Sequence, residues 1–171
     1  MRPEPDAELE NEVFENESFR GQDLSGLRTT GCTFRGCDFT LAQVNGSEHA
    51  GSDFANSTFE SANLFGARFA ECRLVGVSFA GATLTGLVVE GGDWSYALLR
   101  GQELTGLELQ HVRLREADLS ETDLTDADLR GADLREATLD GVDLSAARVQ
   151  EARLDLAGAV QLARSLGAVL E

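Results

Sequence analysis

The sequence predicts an all-β fold, a parallel β-helix of quadrilateral cross-section with a short C-terminal capping α-helix. Three observations predict it: a large apolar residue at nearly every fifth position, a mostly small residue two places before, and a late change to helical spacing. From Phe14 the fifth positions read Phe14, Phe19, Leu24, Thr29, Phe34, Phe39, Val44, His49, Phe54 and Phe59. The series runs to Leu154 without insertion or deletion, and only Thr29 and His49 in it are not bulky and apolar. Two places earlier stand small residues such as Cys32, Cys37, Ala42, Ser47, Ala62, Cys72, Ala117 and Ala132. A helix needs apolar spacing near 3.6 and a strand needs 2, so a period of five fits neither. It fits a chain that turns a corner every five residues and points the large and the small residue inward. Four sides close a coil of twenty residues. Stacked at the inter-strand distance of about 4.8 Å, seven coils make a column on the order of 34 Å long.

The first segment, residues 1–11, is acidic and contains both prolines, Pro3 and Pro5, and reads as a disordered tail. Residues 12–155 are the repeat. The glycines that recur between Gly21 and Gly141 stand at corners, where their backbone freedom is needed. The three cysteines, Cys32, Cys37 and Cys72, all take the small inward position. Cys32 and Cys72 share a column but lie two coils apart, roughly 10 Å by the strand spacing, too far for a disulfide. A reduced, cytoplasmic protein is expected. Trp94 is larger than the Leu and Phe of its ladder, so local irregularity is expected over Val89–Tyr96, with Gly91 and Gly92 supplying room.

Residues 156–171 change period. Leu156, Ala159, Val160, Ala163 and Leu166 follow helical spacing, with Asp155 as N-cap and Gly167 closing the C-terminus. A solenoid end needs a cap, because an open coil exposes ladder groups and core. Leu156, Val160, Leu162, Leu166, Val169 and Leu170 offer more apolar surface than a cap requires, and a two-fold contact between copies would cover it.

Charge narrows the function. The chain carries 30 acidic and 14 basic residues, a formal charge of −16, and all the basic residues are arginine. Such a balance disfavours direct binding to nucleic acid or membranes. The twenty-residue coil sorts the charges by face. The face centred on Leu24, Leu64, Leu104 and Leu144 carries Asp23, Glu103, Asp123, Asp126 and Asp143 with no basic residue. Its neighbour, centred on Phe19, Phe59 and Leu119, carries Glu17, Asp38, Glu60, Asp118, Glu121 and Asp140 against Arg20 and Arg100. The face centred on Phe14 holds six arginines: Arg35, Arg73, Arg113, Arg115, Arg135 and Arg153. Two adjacent acidic faces on a straight rod suit a basic groove. Catalysis finds no foothold: the two histidines, His49 inward and His111 at a corner, are not placed beside a triad-like set. No phosphate-cradling loop or calcium nonapeptide is present, and no cofactor or metal site is expected.

The units Ala117-Asp118-Leu119-Ser120-Glu121, Ala127-Asp128-Leu129-Arg130-Gly131 and Ala132-Asp133-Leu134-Arg135-Glu136 resemble the pentapeptide-repeat family, and the resemblance runs from Glu12 to about Leu156. It implies a right-handed quadrilateral β-helix, a pentapeptide-repeat solenoid. Phe34-Arg35-Gly36-Cys37-Asp38-Phe39 and Leu129-Arg130-Gly131-Ala132-Asp133-Leu134 look closest to the MfpA and Qnr branch. That resemblance implies a non-enzymatic homodimer, joined through the C-terminal helix, that mimics duplex DNA on DNA gyrase or topoisomerase IV. It also implies inhibition of the enzyme or protection from fluoroquinolones or a related poison. The implied gyrase-binding surface is Asp23, Asp38, Glu60, Glu103, Asp118, Glu121, Asp123, Asp126, Asp140 and Asp143. The chain departs from the Qnr pattern in having no inserted loops. A second class stays open: a structural or adaptor solenoid that binds another protein.

Overall fold

The computed structural model describes residues 3–169, and in it the chain climbs one coil every twenty residues. Strand β1 (Glu8–Glu10) pairs in parallel with β3 (Arg28–Thr30), which pairs with β5 (Glu48–Ala50), then β6 (Arg68–Ala70) and β7 (Val88–Glu90). Strands β2 (Val13–Glu15) and β4 (Thr33–Arg35) form a second, two-stranded sheet in the same register. Elsewhere the ladder continues as single parallel bridges, the last joining Asp133 to Arg153. The result is the quadrilateral parallel β-helix that the five-residue period predicts.

Four walls can be named by their inward residues. Wall 1 carries Phe14, Phe34, Phe54, Leu74, Trp94, Leu114 and Leu134; wall 2 carries Phe19, Phe39, Phe59, Phe79, Leu99, Leu119 and Leu139. Wall 3 carries Leu24, Val44, Leu64, Leu84, Leu104, Leu124 and Leu144, and wall 4 Thr29, His49, Phe69, Val89, Leu109 and Leu129. Strands stop at three residues because a corner with positive φ recurs every fifth position. Gly21, Gly26, Gly31 and Gly36 take it without strain, but Leu41 (φ 61), Tyr96 (φ 60) and His111 (φ 60) take it too. For such residues the left-handed region costs on the order of 1 kcal/mol each, which the coil-to-coil hydrogen bonds on both sides must offset.

Inside, the N-terminal coils are filled by stacked phenylalanines. Ring centroids lie 5.0 Å apart from Phe14 to Phe34 and from Phe34 to Phe54, matching the coil spacing. From Leu84 onward the ladders are mostly leucine, and Trp94 meets the last phenylalanine, Phe79, at 5.3 Å with planes 14° apart.

The column closes as expected. A 3₁₀ turn (Leu144–Ala146) replaces the final corner, and helix α1 (Leu156–Ser165) crosses the end. The Gly158 N–H donates to Asp155 Oδ1 at 2.9 Å, and the Glu136 N–H donates to Asp155 Oδ2 at 3.0 Å, so one carboxylate caps the helix and ties it to the coil below. Gly167 follows the helix at φ 84.

Two expectations are corrected. Residues 3–11 are not a disordered tail: Glu8–Glu10 is the first strand, Leu9 packs against the core, and the Gln22 side chain donates to the Pro3 carbonyl at 2.7 Å. The repeat begins before Glu12 because Asp6 and Asn11 already take the corner conformation, at φ 56 and 54. The irregularity expected over Val89–Tyr96 is there only in part: Gly92 takes φ 95, off the corner period, but the break reaches beyond that segment. Wall 1 stays bridged there, Arg73 to Asp93 to Arg113, while walls 3 and 4 lose their bridges between Thr83–Val88 and Glu103–Glu108.

Candidate interaction surfaces

The corner geometry turns the middle residue of each wall outward, so residues twenty apart form vertical ladders of surface side chains. On wall 3 that ladder runs Asp23, Gln43, Asn63 and Thr83, then Glu103, Asp123 and Asp143; Asp126 stands at the adjoining corner. On wall 2 it includes Asp38 and Asp118, with Glu60, Glu121 and Asp140 along the edge that joins wall 3. Asp38 and Asp118 are half-buried and the other eight of the ten sequence-predicted acidic residues are exposed. All ten lie on two adjacent walls. Seven of them, from Glu103 to Asp143, occupy the last coils before the cap.

The ion pairs divide the walls. On walls 1 and 4, arginines reach carboxylates one coil away or two residues away. Arg35 and Arg73 both meet Asp53, at 2.7 and 3.3 Å, and Arg113 meets Asp93 at 3.6 Å. Arg130 and Arg148 meet the buried Asp128 at 2.6 and 3.6 Å, Arg135 meets Asp133 at 2.6 Å, and Arg28 and Arg68 meet Glu8 and Glu90. Arg115 pairs with Glu136 at the edge of wall 1. On the acidic pair of walls, the one ion pair among the described residues joins Arg100 to Glu121 at 2.6 Å. Asp23, Glu103, Asp123, Asp126, Asp140 and Asp143 enter none.

These outward aspartates also shape the backbone, a role that charge sorting alone does not reveal. Asp23 Oδ1 accepts from the Ser25 N–H at 3.1 Å and the Ser25 hydroxyl at 2.7 Å, and Asp118 and Asp143 repeat the motif with Ser120 and Ser145. Asp38 and Asp123 accept from the Thr40 and Thr125 amides at 2.9 Å. Each is a side-chain turn that braces the corner two residues on. Hydrogen bonds from Ser25, Thr40, Ser120 and Thr125 hold the carboxyls of Asp23, Asp38, Asp118 and Asp123 below the usual carboxylate range. They stay charged at any physiological pH. The signal was available in sequence as Asp followed two places later by Ser or Thr.

The apolar end is narrower than expected. Leu156, Leu166 and Val169 are 82%, 70% and 87% exposed. Val160 is half-buried, and Leu162 packs down onto the column core rather than outward. Leu170 lies outside the described residues.

His49 is enclosed by hydroxyls. Its Nδ1 lies 2.7 Å from Thr29 Oγ1 and its Nε2 3.0 Å from Ser47 Oγ, while Thr29 Oγ1 also reaches Ser52 Oγ at 3.0 Å. No carboxylate joins this network and the site is sealed, with His49 2% exposed. Burial alone drives the imidazole pKa down to about 3, so it is neutral and structural. Burial pushes the Cys72 thiol up to about 11, and all three cysteines are free and buried. Among the described residues no cluster of three or more His, Cys, Asp or Glu could hold a metal ion. Among the described residues no helix is long and apolar enough to cross a membrane.

Fold and surface together define a class: a repeat solenoid whose interior is packing and whose exterior is a sorted charge pattern. The chain belongs to the pentapeptide-repeat family, whose model matches eight copies over residues 62–91, 88–120 and 117–155. It is similar to solved structures of QnrB1, a plasmid-mediated fluoroquinolone resistance protein. A trypsin-treated variant of that protein is 25% identical, with 98% of this chain and 91% of that one covered and a TM-score of 0.61. Full-length QnrB1 is 25% identical, with 96% and 92% covered and a TM-score of 0.60. No curated protein sequence matches the chain.

Proposed function

We propose that this protein is a DNA mimic that binds the DNA-receiving saddle of DNA gyrase, or of topoisomerase IV, and protects the enzyme from fluoroquinolones or a related poison. The observation that carries the reading is the run of carboxylates on walls 2 and 3 over the last coils. Seven of them occupy three coils, roughly 14 Å at about 4.8 Å per coil. With Glu121 neutralised by Arg100, that is one net charge per about 2.3 Å, comparable to the one per ~1.7 Å of duplex DNA. A basic saddle shaped for DNA would meet a similar line of negative charge, without bases to read. Likeness to QnrB1 along nearly the whole chain supports the same reading. The protein acts as a homodimer, the exposed Leu156, Leu166 and Val169 of two copies covering each other at the cap. It acts by occupancy, with no chemistry of its own and no cofactor, in the cytoplasm.

The test is a gyrase supercoiling assay with and without a fluoroquinolone, scoring supercoiled product and trapped cleavage complex. Wild-type protein is expected to lower the cleavage complex at near-stoichiometric amounts. The triple variant Asp123→Asn, Asp126→Asn, Asp143→Asn removes charge while Asn keeps the side-chain turns. It is expected to weaken the effect at least tenfold and to flatten its salt dependence. An unchanged titration for this variant would remove wall 3 from the interface, and no effect of wild type at large excess would point instead to an adaptor with another protein partner.

A further inference from the structure

We infer that the column is two rigid segments joined by a hinge, opened by Trp94, between the coils that begin at Gly81 and Gly101. Apart from wall 3 at the last coil, where the 3₁₀ turn Leu144–Ala146 replaces the corner and the Leu124 and Asp143 amides also lack coil-to-coil partners, each wall is stitched to the next coil from both sides: Leu64 N–H donates to the Thr83 carbonyl at 2.9 Å and Phe54 N–H to the Arg73 carbonyl at 2.8 Å. At this level the stitching is lost on walls 3 and 4. The amides of Leu84, Gly86, Val89 and Gly91 find no partner in the following coil, and those of Glu103 and Glu108 none in the preceding one. A cavity of about 290 Å³ opens between Thr83–Thr85 and Gln102–Glu103. Walls 1 and 2 stay closed at the same level: Trp94 N–H donates to Arg113 at 2.7 Å, Leu99 N–H to Asp118 at 2.9 Å and Asp118 N–H to Ala97 at 2.9 Å. Their shared corner is pinned further by the Tyr96 hydroxyl, which donates to Glu116 Oε1 at 2.6 Å. The diagonally opposite corner is Gly86 above Gly106, with no side chain to bridge it.

The cause is volume. Trp94 is the one tryptophan in ladders of Leu and Phe, and it projects from wall 1 across the square toward Leu84 and Leu104 of wall 3. Interiors tolerate little excess volume, so the far walls separate and leave an apolar void of about 10 Å³ among these side chains. The near wall also yields: Gly92, at a small inward position, sits at φ 95, and its carbonyl accepts from the Arg113 N–H at a long 3.2 Å. Two bonded walls and two open ones make a hinge, which lets the segment bearing Glu103, Asp123 and Asp143 tilt against the N-terminal coils. The hinge stands whether or not the partner is gyrase.

Amide hydrogen exchange on the full chain tests it. The amides of Leu84, Gly86, Val89 and Gly91 are expected to exchange on the order of 100-fold faster than their equivalents one coil earlier, Leu64, Gly66, Phe69 and Glu71. Trp94→Phe, which matches Phe34 and Phe54 in the same ladder, and Trp94→Leu, which matches Leu74 and Leu114, are expected to slow those four amides toward their equivalents. Uniform protection across the two sets in wild type would overturn the hinge, and fast exchange that persists in a folded variant would overturn Trp94 as its cause.

Discussion

Lowering the pH from 8 to 4.5 should destabilise the fold through one residue, His49. Its imidazole is sealed between Thr29 and Ser47 with Phe54 and Phe69 against its ring, centroids at 5.0 and 4.8 Å, and no carboxylate is present to stabilise a charge. The folded pKa is therefore about 3, against an ordinary 6.5. The unfolded chain takes up this proton first, so stability is unaffected above 6.5 and falls as the pH drops from 6.5 toward 3. Each pH unit in that window costs about 1.4 kcal/mol, so at pH 4.5 the loss is about 2.7 kcal/mol. The shifted aspartates act lower. Asp23, Asp38, Asp118 and Asp123 have folded values below the ordinary 3.8, so their stabilisation persists down to that value and is lost only beneath it. Urea unfolding at pH 8, 6.5, 5.5 and 4.5, run on wild type and His49→Phe, isolates the effect. The variant starts less stable, because it strips partners from Thr29 and Ser47, but it should lack the wild-type slope. Parallel pH dependences in the two proteins would refute the assignment.

Gly92→Ala is expected to cost about 2–3 kcal/mol, since it adds strain at φ 95 to a clash of the new Cβ with the Cys72 carbonyl oxygen. Gly101→Ala, at φ 66 with open space around its Cβ, should cost about 1 kcal/mol, and urea midpoints of the two variants give the comparison. Leu166→Asp is expected to convert dimers to monomers by light scattering without loss of the β-helix circular dichroism, because Leu166 is 70% exposed beyond the cap. A variant that stays dimeric would move the contact off the helix end.

The coil was legible because one residue in five does one job everywhere along it. Phe34, Phe54 and Leu74 announce wall 1 whatever surrounds them, and the ion pairs follow from the twenty-residue repeat, as in Arg73 with Asp53 or Arg113 with Asp93. The start of the column was legible too, since Leu9 stands five before Phe14, but the nearby prolines and acidic residues suggested disorder more strongly than one apolar position suggested a coil. The position of the break was not legible. Excess volume at Trp94 could be read from the sequence, but which wall yields depends on what each wall has to lose. Wall 1 yields only at Gly92, while Gly86 and Gly106 leave the opposite corner unbraced.

The acidity of the rod is partly a consequence of its fold, and that bears on how much the charge says about a partner. Asp23, Asp38, Asp118, Asp123 and Asp143 brace corners through the residue two places on, so a five-residue solenoid would favour them with no partner at all. Walls 1 and 4 use aspartate the same way: Asp53 accepts from the Ala55 amide at 2.9 Å and Asp93 from the Ser95 amide at 3.1 Å. There, however, arginine neutralises the carboxylate, as Arg35 and Arg73 do for Asp53. The distinguishing feature of wall 3 is thus the absence of arginine, not the presence of aspartate. Glu103, Asp126 and Asp140 sharpen the contrast, since they add charge without bracing a corner and meet no cation. Like charges stacked about 4.8 Å apart repel, and fold stability alone would favour an arginine among them, as on the other walls. Leaving that repulsion uncompensated on wall 3, and relieved on wall 2 only where Arg100 meets Glu121, beside the apolar cap, fits the cationic partner proposed above.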